Sequence, residues 1–142
     1  MAGAQQTPVF FPWSQAILAG ATFEPLSSWQ YETPDFPCMI EVLERATAVG
    51  MLSSITSGGD TLRQEGPIQS GGTAGTTPSR LNTEPVVGKG GPLKKLRVLE
   101  RNPTAGTITV DGLVIMTPIA GGGGGNGGRR RSAPRPFTRR RK

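Results

Sequence analysis

The residues with the clearest chemistry are cationic and crowded at one end of the chain. Arg129, Arg130, Arg131, Arg135, Arg139, Arg140, Arg141 and Lys142 fall within the last fourteen positions, with no acid among them and Phe137 in their midst. The formal net charge of +6 therefore divides unevenly. Positions 1–128 hold eight bases and all ten acids, a net of −2, whereas 129–142 carry +8. Cations this close repel one another and bury no apolar surface, so such a segment is expected to stay extended until a polyanion neutralises it. Nucleic acid is the expected partner, met without sequence preference because arginines on a disordered arm engage phosphates as charges. Phe137 adds one aromatic that can stack on a base, a contact of ~1 to 3 kcal/mol. Charge alone leaves two other uses open: a solubilising or nuclear-import tail, and docking onto an acidic protein surface.

The rest of the chain is poor in reactive groups. There is no histidine, the commonest general base and metal ligand, and Cys38 is the single cysteine. No catalytic residue, metal site, cofactor or small-molecule substrate is expected, and the chain does not read as an enzyme. Glu41 and Glu44, three positions apart, would share a helix face and read as solvated surface. Gly88-Lys89-Gly90-Gly91 lacks the spacing and the following Ser or Thr of a phosphate-binding loop and reads as a turn. Cys38 reads as a small buried apolar group, with no disulfide and no demand for an oxidising compartment.

A cationic end needs something to hold it off the body. Positions 121–128 are glycine apart from Asn126, and a chain without Cβ atoms stays flexible at little cost. As a random coil those residues span roughly 15 Å, and fourteen extended residues add at most about 45 to 50 Å. The domain organisation expected is an N-terminal arm over 1–19, a β-sandwich domain over 20–120, a glycine linker over 121–128 and the Arg-rich tail over 129–142. No apolar run approaches the ~18 residues of a membrane span and no signal-peptide pattern opens the sequence, so a soluble protein of the cytosol is expected.

Composition constrains the body. Twenty-one glycines and thirteen prolines in a chain 35% hydrophobic leave little material for long helices or a thick core. Thr7-Pro8-Val9-Phe10-Phe11-Pro12-Trp13 reads as an extended arm that must lie on its own body or on a neighbour, and Ser14 to Ala19 as a turn of helix. Positions 37–49 carry both patterns: Met39, Val42, Leu43 and Ala46 at helical spacing, Ile40 and Val42 at strand spacing, with the helix fitting slightly better. Met51 to Ser57 and Thr61 to Ile68 read as strands joined by a Gly58-Gly59-Asp60 hairpin, and Leu81 to Val87 as an edge strand. Leu93 to Arg101 and Thr107 to Met116 form the clearest strand pair, turned at 102–106. In the second of them Ile108, Val110, Val114 and Met116 share one parity, so Asp111-Gly112, which either makes a second two-residue hairpin or marks a bulge, is read as a bulge or bend within one strand. Seven or eight short strands with regular turn signals indicate an all-β sandwich or small barrel, and a jelly roll fits the count.

Several stretches also resemble a known family. Arg45-Ala46-Thr47-Ala48-Val49-Gly50, the Ser57-Gly58-Gly59-Asp60-Thr61 turn, 72–83 from Gly72-Thr73-Ala74-Gly75 to Leu81-Asn82-Thr83, and 101–112 from Arg101-Asn102-Pro103 to Val110-Asp111-Gly112 are similar to small β-sandwich virion proteins of bacterial viruses. Trp29-Gln30-Tyr31-Glu32 fits the same pattern, and the similarity covers roughly residues 20–119. The resemblance implies a virion structural role, a jelly-roll-like fold, and strand in place of helix at 39–45. The Arg-rich end departs from decoration proteins outside a shell and is closer to the lumenal arms of capsid proteins, although those arms are more often N-terminal.

Together these readings lead to a capsid or minor capsid protein, found in the virion and in host cytoplasm during assembly. It would assemble with other capsid subunits through its edges and N-terminal arm, and neutralise packaged nucleic acid through its tail. A capsid cement or decoration protein whose tail docks on an acidic shell surface is the alternative, and a free, monomeric nucleic-acid-binding protein is a third.

Overall fold

Period-two alternation of apolar and polar side chains decides the architecture, since each strand buries one face and wets the other. The computed structural model describes residues 7–119, and among these every regular element is a strand. The strands are β1 (Val9–Ile17), β2 (Thr22–Phe23), β3 (Cys38–Ala46), β4 (Leu52–Ser57), β5 (Asp60–Pro67), β6 (Val86–Gly90), β7 (Leu96–Arg101) and β8 (Ile108–Pro118).

They form two antiparallel sheets of four, ordered β1-β8-β3-β6 and β2-β7-β4-β5, the arrangement of a small β-sandwich. Among the hydrogen-bonded neighbours are β1 with β8, β2 with β7, β3 with β6 and β4 with β5. The chain is thus a nested hairpin, with Gly58-Gly59 at its tip, whose strand pairs alternate between sheets. Gly58 adopts φ 60°, the left-handed conformation that a tight turn asks of glycine.

Four expectations change. Residues 39–49 hold no helix: Cys38, Ile40, Val42, Glu44 and Ala46 point inward on β3, as the resemblance implied. Leu43 produced the helical spacing because it is buried on the opposite parity. Over that outward face runs the segment following β5, tied to β3 through Arg80 to Glu41 (2.6 Å) and Arg45 to the Asn82 carbonyl, and to β8 through Gly75 N to Asp111 Oδ1 (3.0 Å). Ser14 to Ala19 is not a turn of helix either. The extended stretch 9–17 is β1, and it lies along β8 of its own body. Third, β7 and β8 do not pair with each other. The 102–106 turn carries the chain from one sheet to the other, held by the fully buried Asn102. Its Nδ2 donates to the carbonyls of Ile17 and Gly106, both 2.8 Å, while its Oδ1 accepts from Thr104 N and Oγ1.

Fourth, β8 keeps its register unbroken through Asp111-Gly112 against both β1 and β3, so neither hairpin nor bulge explains the glycine. A Cβ on Gly112 would come within 2.1 Å of the Trp13 ring, and that ring is the reason for the absent side chain. The inward parity read for β8 holds, the 58–60 hairpin forms, and Cys38 is a buried free thiol whose pKa burial raises, against a backbone hydrogen bond from Gly90. The edge strand read at 81–87 lies slightly later, as β6, and Gly88-Lys89-Gly90, read as a turn, is instead part of that strand, paired with Ile40, Met39 and Cys38.

Candidate functional site

The residues read as nucleic-acid contacts, Arg129, Arg130, Arg131, Arg135, Phe137, Arg139, Arg140, Arg141 and Lys142, lie outside the described residues. What the body shows is where its own charges go. Arg97 grips Glu24 through two bonds of 2.9 and 3.2 Å, and Arg101 grips Glu65 through two of 2.8 Å. These hydrogen bonds hold both glutamates below the usual carboxylate range and both guanidiniums above theirs. Arg80 pairs with Glu41, Lys94 with Asp60 at 3.0 Å, Lys95 with Glu32 at 3.7 Å and Arg63 with Glu44 at 3.9 Å. Six of the body's eight bases thus stand within 4 Å of a carboxylate, and a seventh, Arg45, is bonded to a carbonyl. No basic stripe is left on the described surface to follow a phosphate backbone.

The unusual site is inside. Register places Trp13, Gly112 and Glu44 in one row across the first sheet, and Phe23, Glu100 and Ser53 in one row across the second. The two rows face each other. Trp13 Nε1 donates to Glu100 Oε2 at 3.3 Å, filling the space that Gly112 leaves, and Ser53 Oγ donates to Glu44 Oε1 at 2.7 Å. This polar layer divides the core. On one side lie Ile40, Val42, Val98, Val114, Met116 and their neighbours; on the other Ile17, Ala46, Met51, Ile68, Ile108 and Val110.

Glu44 and Glu100 are both buried, and Glu44 Oε2 and Glu100 Oε1 have no donor when both carboxyls are ionised. One proton between them supplies it. Burial first, then the hydrogen bond and charge of Glu44, with a smaller push from Asp111, raise Glu100 well above the usual glutamate range; the Trp13 indole opposes the shift. Of the two carboxyls, Glu100 is thus the one that burial and its neighbour drive to keep its proton.

Glu44, but not Glu100, borders a surface cleft. A cleft of about 590 Å³ opens between the edge strands β5 and β6, with apolar walls from Leu62, Val86 and Val87, Arg63 and Glu84 toward solvent, and Glu44 among its lining residues. Among the described residues no group of three or more His, Cys, Asp or Glu is placed to hold a metal ion.

Glu41 and Glu44 were expected to share a solvated face, but on a strand three positions means opposite faces. Glu41 meets Arg80 outside and Glu44 enters the core. Glu100 had an overlooked signal, its shared parity with Leu96 and Val98. Its partnership with Trp13, 87 positions away, had none. No protein-family model, no curated protein and no solved structure matches this chain.

Proposed function

We propose that this chain is a capsid or minor capsid structural protein, without catalytic activity, that assembles through its β-domain and neutralises packaged nucleic acid with 129–142. The observation that carries the reading is the partition of charge. The body holds eight bases and ten acids, mostly paired with each other, and the last fourteen residues hold eight bases and no acid. Only in 129–142 do cations stand without acids among them, and that is where a polyanion is favoured. Weak contacts at each tail become strong collectively when many copies engage one polymer.

The strand orders β1-β8-β3-β6 and β2-β7-β4-β5 support a jelly-roll-like fold, because a hairpin of eight strands rolled into two sheets yields that nesting. Edge strand β1 supports assembly through the edges. It presents Phe10, 59% exposed, with Leu18 just beyond its end at 66%, and large apolar side chains at an open edge suit a neighbouring subunit. Pro12 lies on this edge strand, where a missing N–H donor is tolerated.

The test is deletion of 129–142 in the chain expressed for assembly. The expected result is particles that still form but carry much less nucleic acid, read as a fall in A260/A280. An unchanged ratio refutes the packaging role. Particles that keep their nucleic acid but lose this subunit or melt earlier point instead to a cement protein docked by its tail.

A further inference from the structure

We propose that copies of this chain associate head to tail, Leu93 of one copy entering the cleft between β5 and β6 of the next, a contact that rests on the self-assembly read above and is separate from the β1 edge and the basic tail.

Leu93 is held where leucine is costly on two counts. Lys94 N donates to the Gly91 carbonyl at 3.0 Å, closing a turn with Pro92 at its second position and Leu93 at its third. Leu93 takes φ 71° there, the left-handed value that such a turn asks of glycine or asparagine. A Cβ makes that conformation strained. The side chain is also 96% exposed, so no packing within its own chain offsets the strain. A strained residue kept at the surface points to a contact made with something else.

The cleft is the complementary feature. Toward the 58–60 hairpin, Leu62 closes the gap between the sheets, so near Gly88 that a Cβ there would lie 2.3 Å from it. Beyond that contact the cleft opens toward Pro67 and Pro85, with Val42, Ile68 and Val86 in its lining and a volume of about 590 Å³, ample for a leucine side chain. Its polar neighbours are already engaged. Arg63 is bonded to the Pro67 carbonyl and stands 3.9 Å from Glu44, which accepts from Ser53, while Gln69 bridges the Asn82 carbonyl and Glu84 N. Apolar surface is what the cleft still offers a partner.

Position selects a second copy as that partner. Gly58 N donates to the Lys95 carbonyl at 2.9 Å and Lys94 pairs with Asp60, so the turn carrying Leu93 lies beside the 58–60 hairpin. The cleft extends to Pro67 at the far end of β5, about 20 Å from Asp60 at ~3.3 Å per residue. Leu93 therefore does not fill the cleft of its own chain. A projection at one end of the β5–β6 side and a receptacle toward the other make a heterologous contact, which builds rings or filaments rather than closed dimers. Charge agrees with that direction. Lys89, on the Leu93 end of β6, and Glu84, which borders the cleft, are both exposed and form no ion pair among the described residues. Head-to-tail packing brings the unpaired base of one copy toward the unpaired acid of the next.

The test uses full chains free of nucleic acid, all carrying Phe10→Asp so that association through β1 does not mask the result. Sedimentation velocity over a concentration series compares this parent with Leu93→Asn, which removes the projection and suits the left-handed turn, and with Glu84→Lys, which reverses the charge beside the cleft. Far-ultraviolet spectra and melting temperatures confirm folding, and Leu93→Asn should melt no lower than the parent. Each variant alone should associate about tenfold or more weakly than the parent. Mixed, the two should recover parent-strength binding as a one-to-one dimer and nothing larger, because Leu93 of the Glu84→Lys chain meets an intact cleft on the Leu93→Asn chain. A parent that stays monomeric, variants that associate as the parent does, or a mixture no stronger than either variant alone would each overturn the head-to-tail contact. The β1 contact is read separately, from the parent against the wild-type chain, and packaging from nucleic acid content, so each reading can fail without the others.

Discussion

Replacing Glu100 by glutamine separates a protein held together by a shared proton from one that merely tolerates a buried acid. In the folded chain Glu100 is fully buried beside Glu44 and keeps its proton well above the usual glutamate range. In the unfolded chain it loses that proton near pH 4.3. Between the two values the folded state binds one more proton than the unfolded state, so stability falls as pH rises. The contribution is fully present below about pH 4.3 and disappears as the folded pair gives up its proton. One proton sets the slope at no more than about 1.4 kcal/mol per pH unit, or roughly 5 °C of melting temperature per unit for a domain of this size. The glutamates paired with Arg97 and Arg101 act in the opposite direction, but their pKa values are lowered, so they matter only at pH below the ordinary glutamate range. Glu100→Gln supplies a permanent N–H donor toward Glu44 and keeps an oxygen for Trp13 Nε1. Urea unfolding from pH 5 to 9 should therefore show wild-type stability declining with pH and the variant nearly flat, more stable than wild type at the alkaline end. Parallel curves, or wild-type stability that climbs with pH across this range, would refute the shared proton.

Other expectations follow from single contacts. Gly112→Ala drives a methyl into the Trp13 ring, 2.1 Å away, and should destabilise by at least the ~1 to 3 kcal/mol typical of overpacking, measured as a lower urea midpoint at unchanged slope. Asn102→Ala strands the Ile17 carbonyl at the crossover between sheets and should cost about 1 to 3 kcal/mol by the same measurement. Binding of the full chain to a single-stranded oligonucleotide should weaken with salt along a log–log slope of about −5 to −6 if all eight tail cations engage, at ~0.7 per phosphate. A slope that survives deletion of 129–142 would place the contacts on the body. Phe10→Asp should reduce particle yield while leaving the far-ultraviolet spectrum of the soluble chain unchanged.

How much of this was legible in the sequence depended on whether the deciding neighbours were near in the chain. The hairpin at 58–60 and the inward parity of Ile108, Val110, Val114 and Met116 are local, and they were readable. Burial of β3 on both faces was not, since Leu43 is covered by a segment that follows two strands later. The same distance hid the partner of β7. Strands adjacent in sequence usually pair, but Asn102 turns the chain into the other sheet. Gly112 looked like a bend because the reason for it, Trp13, lies 99 positions upstream. The carboxyl pair was missed for a related reason. Its members sit on different sheets, and each alone resembles an ordinary charged residue on a half-wet strand.

If the chain assembles as proposed, the polar layer bears on assembly as well as on stability. It crosses the sandwich where β1 contributes Trp13, and β1 is also the edge strand that presents Phe10. Loss of the shared proton places two negative charges beneath the indole, and their repulsion acts first on the contact between β1 and the opposite sheet. Because Trp13 Nε1 to Glu100 is a tether of β1 across the core, loosening it alters the edge on which a neighbouring subunit would rest. Assembly through β1 should therefore weaken with rising pH in the wild type and not in Glu100→Gln. Sedimentation of assembled against free protein from pH 5 to 9 reads this directly. A pH dependence of assembly identical in the two proteins would uncouple the core from the edge.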